Sequence, residues 1–127
     1  MARILIAEDD VSTRKAVAMM VGKMGHVAVV SPDGQHAWET LQVDSDIDLL
    51  ITDVMMPRMD GRQLVQMLRG QERFAKLPVI IMSAAVGPKD IFFLLELGAA
   101  RFQPKPLSMV TLKENIEACL VGEEAQE

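Results

Sequence analysis

Leu49-Leu50-Ile51-Thr52-Asp53-Val54-Met55-Met56-Pro57 is the stretch that decides the fold. Its opening Leu-Leu-Ile shows no polar alternation, the habit of a strand buried on both faces of a parallel sheet. Asp is depleted in strand interiors, so Asp53 is expected where the strand emerges at the carboxyl edge. In open parallel sheets, ligands bind at that edge. Taken alone, Asp53 reads equally well as the start of a turn. The other apolar runs shift that balance. Arg3-Ile4-Leu5-Ile6-Ala7 ends in Glu8-Asp9-Asp10, Leu77 to Met82 delivers Ser83, and Ala100 to Gln103 leads to Lys105.

Helical patterns separate these runs. Ser12 is the expected N-cap of a first helix carrying Val17, Met20, Val21 and Met24 at i, i+3, i+4, i+7, with Gly25 as its stop. His26 to Val30 reads as the second strand, closed by Ser31-Pro32-Asp33-Gly34. Ala37, Trp38 and Leu41 mark a second helix. Asp60 is the expected cap of a third, with Leu64, Val65 and Leu68 inward and Gly70 at its end. A fourth opens at Gly87-Pro88 and closes at Gly98, with Ile91, Leu94 and Leu95 as its core stripe and Phe92 and Phe93 toward the flank or solvent. Leu112, Ile116 and Cys119 face the core from the last helix. Five strands alternating with five helices specify an α/β fold, a five-stranded parallel sheet with helices on both faces and right-handed crossovers. Pro104 lacks a ladder donor and puts the fifth strand at an edge. One domain is expected over residues 1–121, followed by a short flexible tail over 122–127.

Composition bounds the function. The 127 residues are 50% hydrophobic and 24% charged, which is globular rather than disordered. The net charge of −5, with dispersed Lys and Arg, argues against direct nucleic-acid or anionic-membrane binding. A single cysteine, Cys119, excludes an intrachain disulfide and a cysteine-based metal site. No run approaches the roughly 18 apolar residues of a membrane span, and the amino end lacks a signal-peptide pattern. A cytoplasmic protein is the expectation.

All strands of a parallel sheet present their carboxyl ends on one side, so Asp9, Asp10, Asp53, Ser83 and Lys105 are expected to converge. Three neighbouring carboxylates disfavour one another's ionisation unless a cation intervenes. With hard oxygen donors and no cysteine or histidine at hand, Mg²⁺ suits the pocket, with Mn²⁺ as a substitute. A metal, a hydroxyl and an ammonium group are what phosphoryl transfer requires, namely positioning and charge neutralisation. Asp53 is the best-placed nucleophile, and aspartyl phosphates are a known covalent class.

These residues carry a resemblance. Ile4-Leu5-Ile6-Ala7-Glu8-Asp9-Asp10, Leu50 to Pro57, Met59-Asp60-Gly61, Ile80-Ile81-Met82-Ser83-Ala84 and Pro104-Lys105-Pro106 resemble, in order, the receiver domain of bacterial two-component response regulators. The chain's size resembles the single-domain chemotaxis type. The resemblance implies a flavodoxin-like doubly wound sheet in the order 2-1-3-4-5. It implies Asp53 as phosphoacceptor, and Mg²⁺ bound directly by Asp10, Asp53 and the backbone carbonyl of Met55, with Asp9 acting through a water and Glu8 at a variable position. It implies Ser83 and Lys105 on the phosphoryl group, a cis Lys105-Pro106 peptide, and Phe102 as the switch aromatic, here without the hydroxyl of the common tyrosine. Met55 and Ala85 occupy the positions that tune phosphoryl lifetime. Neither can orient a hydrolytic water, so slow self-dephosphorylation is expected.

The expected function is a phosphorylation-dependent signalling switch, catalysing only its own modification. It would take its phosphoryl group from a sensor histidine kinase or a phosphotransfer protein and pass the signal to a downstream protein. The fourth helix, fifth strand and fifth helix would form the partner or homodimer face, with Phe92 and Phe93 as candidate contacts. A receiver cut from a longer regulator and a phosphorylation-independent scaffold remain alternatives for the output. A metal-dependent phosphohydrolase would carry nucleophile and acid as Asp-x-Asp on the first strand, which this chain lacks. A nucleotide or flavin binder would need a Gly-rich phosphate loop there, also absent.

Overall fold

The computed structural model describes residues 1–84, 87–96, 98 and 101–121. Strands β1 (Arg3–Ala7), β2 (Val27–Ser31), β3 (Leu49–Asp53), β4 (Val79–Ser83) and β5 (Arg101–Pro104) alternate with helices α1 (Val11–Lys23), α2 (Gly34–Val43), α3 (Gly61–Arg69), α4 (Pro88–Glu96) and α5 (Met109–Leu120). A 3₁₀ turn, Glu72–Phe74, precedes β4. The sheet is wholly parallel in the order β2-β1-β3-β4-β5, as expected, with β5 at one edge. The expected tail, 122–127, lies outside the described residues.

β3 and β4 are buried at every position, which is why their sequences show no alternation. Successive side chains still point to opposite faces, and each face has its own core. Leu5, Leu50 and Ile81 pack with Ala37, Leu41, Leu64 and Leu68 from α2 and α3. Ile4, Ile6, Leu49, Ile51 and Met82 pack with Val17, Val21, Leu112, Ile116 and Cys119 from α1 and α5. Deep inside the β5–α5 layer, Asn115 Nδ2 donates to Gln103 Oε1 at 2.6 Å, so neither buried amide is left wholly unpaired.

Several boundaries differ from expectation by one or two residues. β2 runs through Ser31, β4 starts at Val79, and β5 spans Arg101 to Pro104. The cap of α1 is Asp10, not Ser12: its carboxylate accepts from Thr13 N at 2.8 Å and Thr13 Oγ1 at 2.7 Å. Asp33 and Asp60 cap α2 and α3 in the same way, Asp60 in a reciprocal capping box with Gln63. Leu95, expected in the core stripe of α4, is 48% exposed, whereas Phe92 and Phe93 lie outward as anticipated. The side chains of Ile91 and Leu94, expected in the same stripe, lie outside those described.

Candidate functional site

Register assembles the site. Ala7 lies opposite Thr52 across β1 and β3, so Glu8 and Asp53 are the next residues out on neighbouring strands. Asp53 pairs with Met82, which puts Ser83 one residue further along β4, opposite Pro104. The backbone N–H of Lys105 donates to Ser83 O at 3.1 Å. The Lys105-Pro106 peptide is cis, as the resemblance implied.

Lys105 Nζ donates to Asp53 Oδ2 at 2.8 Å and to Glu8 Oε1 at 2.6 Å. The other oxygen of Asp53 accepts from Val54 N at 2.7 Å, and the other oxygen of Glu8 from Asp10 N at 3.0 Å. Glu8, Asp53 and Ser83 are buried, while Asp9 is exposed at the rim. Glu8, Asp9 and Asp53 each bring a carboxylate oxygen within 4.8 Å of the other two.

The acidic pair facing Asp53 is therefore Glu8 and Asp9, one residue earlier than the expected Asp9 and Asp10. Asp10 is absent from the cluster because it caps α1, and its bonds to Thr13 hold its carboxyl below the usual range. Burial pushes the Glu8 carboxyl up, helped by the neighbouring Asp53 charge, against the lowering pull of Lys105 and the Asp10 N–H. Lys105 is partly desolvated, which opposes its charge, but its bonds to Asp53 and Glu8 outweigh that and raise it above an ordinary lysine. One ammonium thus serves two carboxylates, with a third nearby. That imbalance, together with a donor set made only of oxygen, fits a hard divalent cation such as Mg²⁺.

Phe102 is half-buried against the core formed with α2 and α3, and Met55, two residues past Asp53, is exposed. Ala85 lies outside the described residues. A groove of about 530 Å³ opens beside Lys105, lined by Ser12, Thr13, Ala16 and Met20 of α1 and by Pro106 and Leu107. Two residues escaped sequence reasoning. Arg14 Nη1 donates to Glu8 O at 2.9 Å, holding the acidic turn from α1. Arg58, in the turn after Asp53, donates to Asp33 Oδ2 at 3.3 Å. The Arg14 contact spans six residues and the Arg58 contact joins separate loops, and neither leaves a periodic signal.

The family model for the response regulator receiver domain matches residues 4–117, and the chain belongs to that family. It is 30% identical over 119 residues to the chemotaxis protein CheY1 of Helicobacter pylori, covering 93% of this chain and 96% of that protein. The signal receiver domain of a histidine kinase from Syntrophus aciditrophicus superposes with a TM-score of 0.87 at 32% identity, covering 96% of this chain and 92% of that one. CheY4 of Vibrio cholerae gives 0.88 at 27% identity, covering 94% and 99%. The family implies phosphorylation-dependent two-component signalling, in which a receiver is a switch rather than a classical enzyme. Its members bind Mg²⁺ through an acidic pocket, and Glu8, Asp9 and Asp53 supply one here. Among the described residues, no helix is long and apolar enough to cross a membrane.

Proposed function

We propose that the chain is a switch operated by phosphorylation of Asp53. The reading rests above all on one observation: Asp53, buried at a strand end, faces two further carboxylates and meets Lys105 at 2.8 Å. Glu8, Asp9 and Asp53, with the backbone carbonyl of Met55, would hold Mg²⁺. When bound, the ion neutralises charge on the phosphoryl oxygens and brings them toward the acceptor. A carboxylate oxygen of Asp53 forms the new bond to phosphorus. The bond from phosphorus to the donor histidine nitrogen breaks, its electron pair stays on the imidazole, and the imidazole takes up a proton. Lys105 and the Ser83 hydroxyl hold the transferred oxygens, with Lys105 moving from the carboxylate to the phosphoryl group. Phe102 packs further inward as Ser83 shifts, without a hydroxyl to anchor it.

The donor is a sensor histidine kinase or phosphotransfer protein, whose side chain can approach through the groove beside Lys105. The output leaves through α4, β5 and α5, where Phe92 is 64% and Phe93 42% exposed. Aromatic side chains left in water suit an interface core. The receiver domain covers residues 1–121, ahead of a tail over 122–127, and works in the cytoplasm.

Incubation with acetyl phosphate or phosphoramidate and Mg²⁺ tests this. The parent chain is expected to gain the mass of one phosphoryl group and Asp53→Asn none; uptake by the variant would refute the acceptor. Phe92→Ser combined with Phe93→Ser is expected to keep uptake but lose partner binding or phosphorylation-dependent self-association, and intact binding would move the output face elsewhere. Phosphoryl lifetime gives a separate check. Met55→Asn with Ala85→Glu should shorten it roughly tenfold by orienting a water, whereas unchanged decay would deny these positions their tuning role.

A further inference from the structure

We propose that Arg58 is a positioning residue for the metal-holding loop, acting through Asp33. This rests on the assignment of Mg²⁺ to Glu8, Asp9, Asp53 and the Met55 carbonyl. Residues 54–60 link β3 to α3 and include Met55, so the placement of that carbonyl depends on how the loop is fixed. Three of its contacts tie it to its surroundings. Gly61 N donates to Val54 O at 2.7 Å, tying the loop's end to its beginning. The start of α2 packs directly on the loop backbone, since a Cβ on Gly34 would overlap Met59 O. The third contact is the ion pair from Arg58 Nη1 to Asp33 Oδ2 at 3.3 Å.

Arg58 is unusual in its backbone. At φ 69° it is the one non-glycine residue with positive φ among those described. That region is unfavourable for a side chain with a Cβ and is normally filled by Gly or Asn. Arginine here sacrifices local stability; its side chain, 59% exposed, reaches back across the loop to Asp33. Asp33 is a firm anchor because its side chain is only 9% exposed and its other oxygen caps α2 by accepting from His36 N at 2.7 Å. The loop after the acceptor is thus pinned to the first turn of α2, an element that carries none of the metal-binding carboxylates.

The loop's stability and its metal affinity should therefore respond in opposite directions. Arg58→Gly relieves the backbone but releases the clamp. The metal-free melting temperature is expected to stay level or rise, while the Mg²⁺ dissociation constant measured by titration calorimetry rises about threefold to tenfold. Asp33→Asn keeps the cap and loses the ion pair, so it should weaken Mg²⁺ binding comparably. Combining the two should weaken it no further than Arg58→Gly alone. Affinities equal to the parent in both single variants overturn the proposal. So does a fall in melting temperature and affinity together in Arg58→Gly, the mark of a merely structural role. If the parent itself binds no Mg²⁺, the metal assignment falls, and this inference with it.

Discussion

Glu8→Gln and Asp9→Asn are each expected to weaken Mg²⁺ binding roughly tenfold or more and to cut phosphoryl uptake in step, whereas Asp10→Ala leaves both within about twofold. The cause is geometric. Glu8 and Asp9 face Asp53 with carboxylate oxygens within 4.8 Å, while Asp10 is spent on Thr13 at the start of α1. Stability should sort the same variants differently. Glu8→Gln keeps the shape and removes a charge that burial disfavours, but gives up the 2.6 Å ion pair to Lys105, so the stability of the metal-free protein should change little. Asp10→Ala strips a helix cap and should lower the melting temperature by a few degrees. The cap's contribution also has a pH signature. Because the folded Asp10 carboxyl lies below its ordinary value of 3.8, its stabilisation is present above that value and is lost as pH falls through the folded value. Calorimetric titration with Mg²⁺, mass measurement after acetyl phosphate, and melting curves read all three properties. Loss of metal binding in Asp10→Ala but not in Asp9→Asn would restore the later register.

That register is where the sequence could be read two ways. Glu8-Asp9-Asp10 offers two adjacent acidic pairs, and the choice between them depends on which residue caps α1. Taking Ser12 as cap frees Asp10 for the metal; taking Asp10 commits it to Thr13, three residues on. The other helices carried the answer, since Asp33 and Asp60 cap theirs by the same bond from the backbone N–H three residues on. The strand order rested on the resemblance, whereas the position of Asp53 at the end of β3 was legible because an unbroken apolar run that ends in a charged residue fits little besides a buried parallel strand opening onto an edge. Leu95 was not. A helix as apolar as α4 offers several stripes of equal quality, and periodicity cannot choose between an inward and an outward face. The Arg58 backbone was equally hidden, because a turn containing Pro57 and Gly61 gives no local reason for an arginine to take positive φ.

Gly34→Ala is expected to destabilise the protein by about 3 kcal/mol, and to lower its melting temperature by roughly 10 °C. The added Cβ would overlap Met59 O, and would sit 2.7 Å from the carbonyl carbon and 3.0 Å from Met59 Cβ. Two of those three atoms are backbone, so no rotamer change makes room. Retreat of α2 is opposed as well, because it would pull Ala37 and Leu41 out of the core they share with Leu5, Ala7 and Leu50. The strain must pass into residues 54–60, so the folded fraction should also take up the phosphoryl group more slowly. Gly22→Ala is the matched control. It lies near the end of α1 with nothing within 4 Å of a new Cβ, and should stabilise by about 0.5–1 kcal/mol through helix propensity and a stiffer unfolded chain. Denaturant melts of the two variants should move in opposite directions. If both moved together, the close approach of α2 to the loop after Asp53 would not be what fixes that loop.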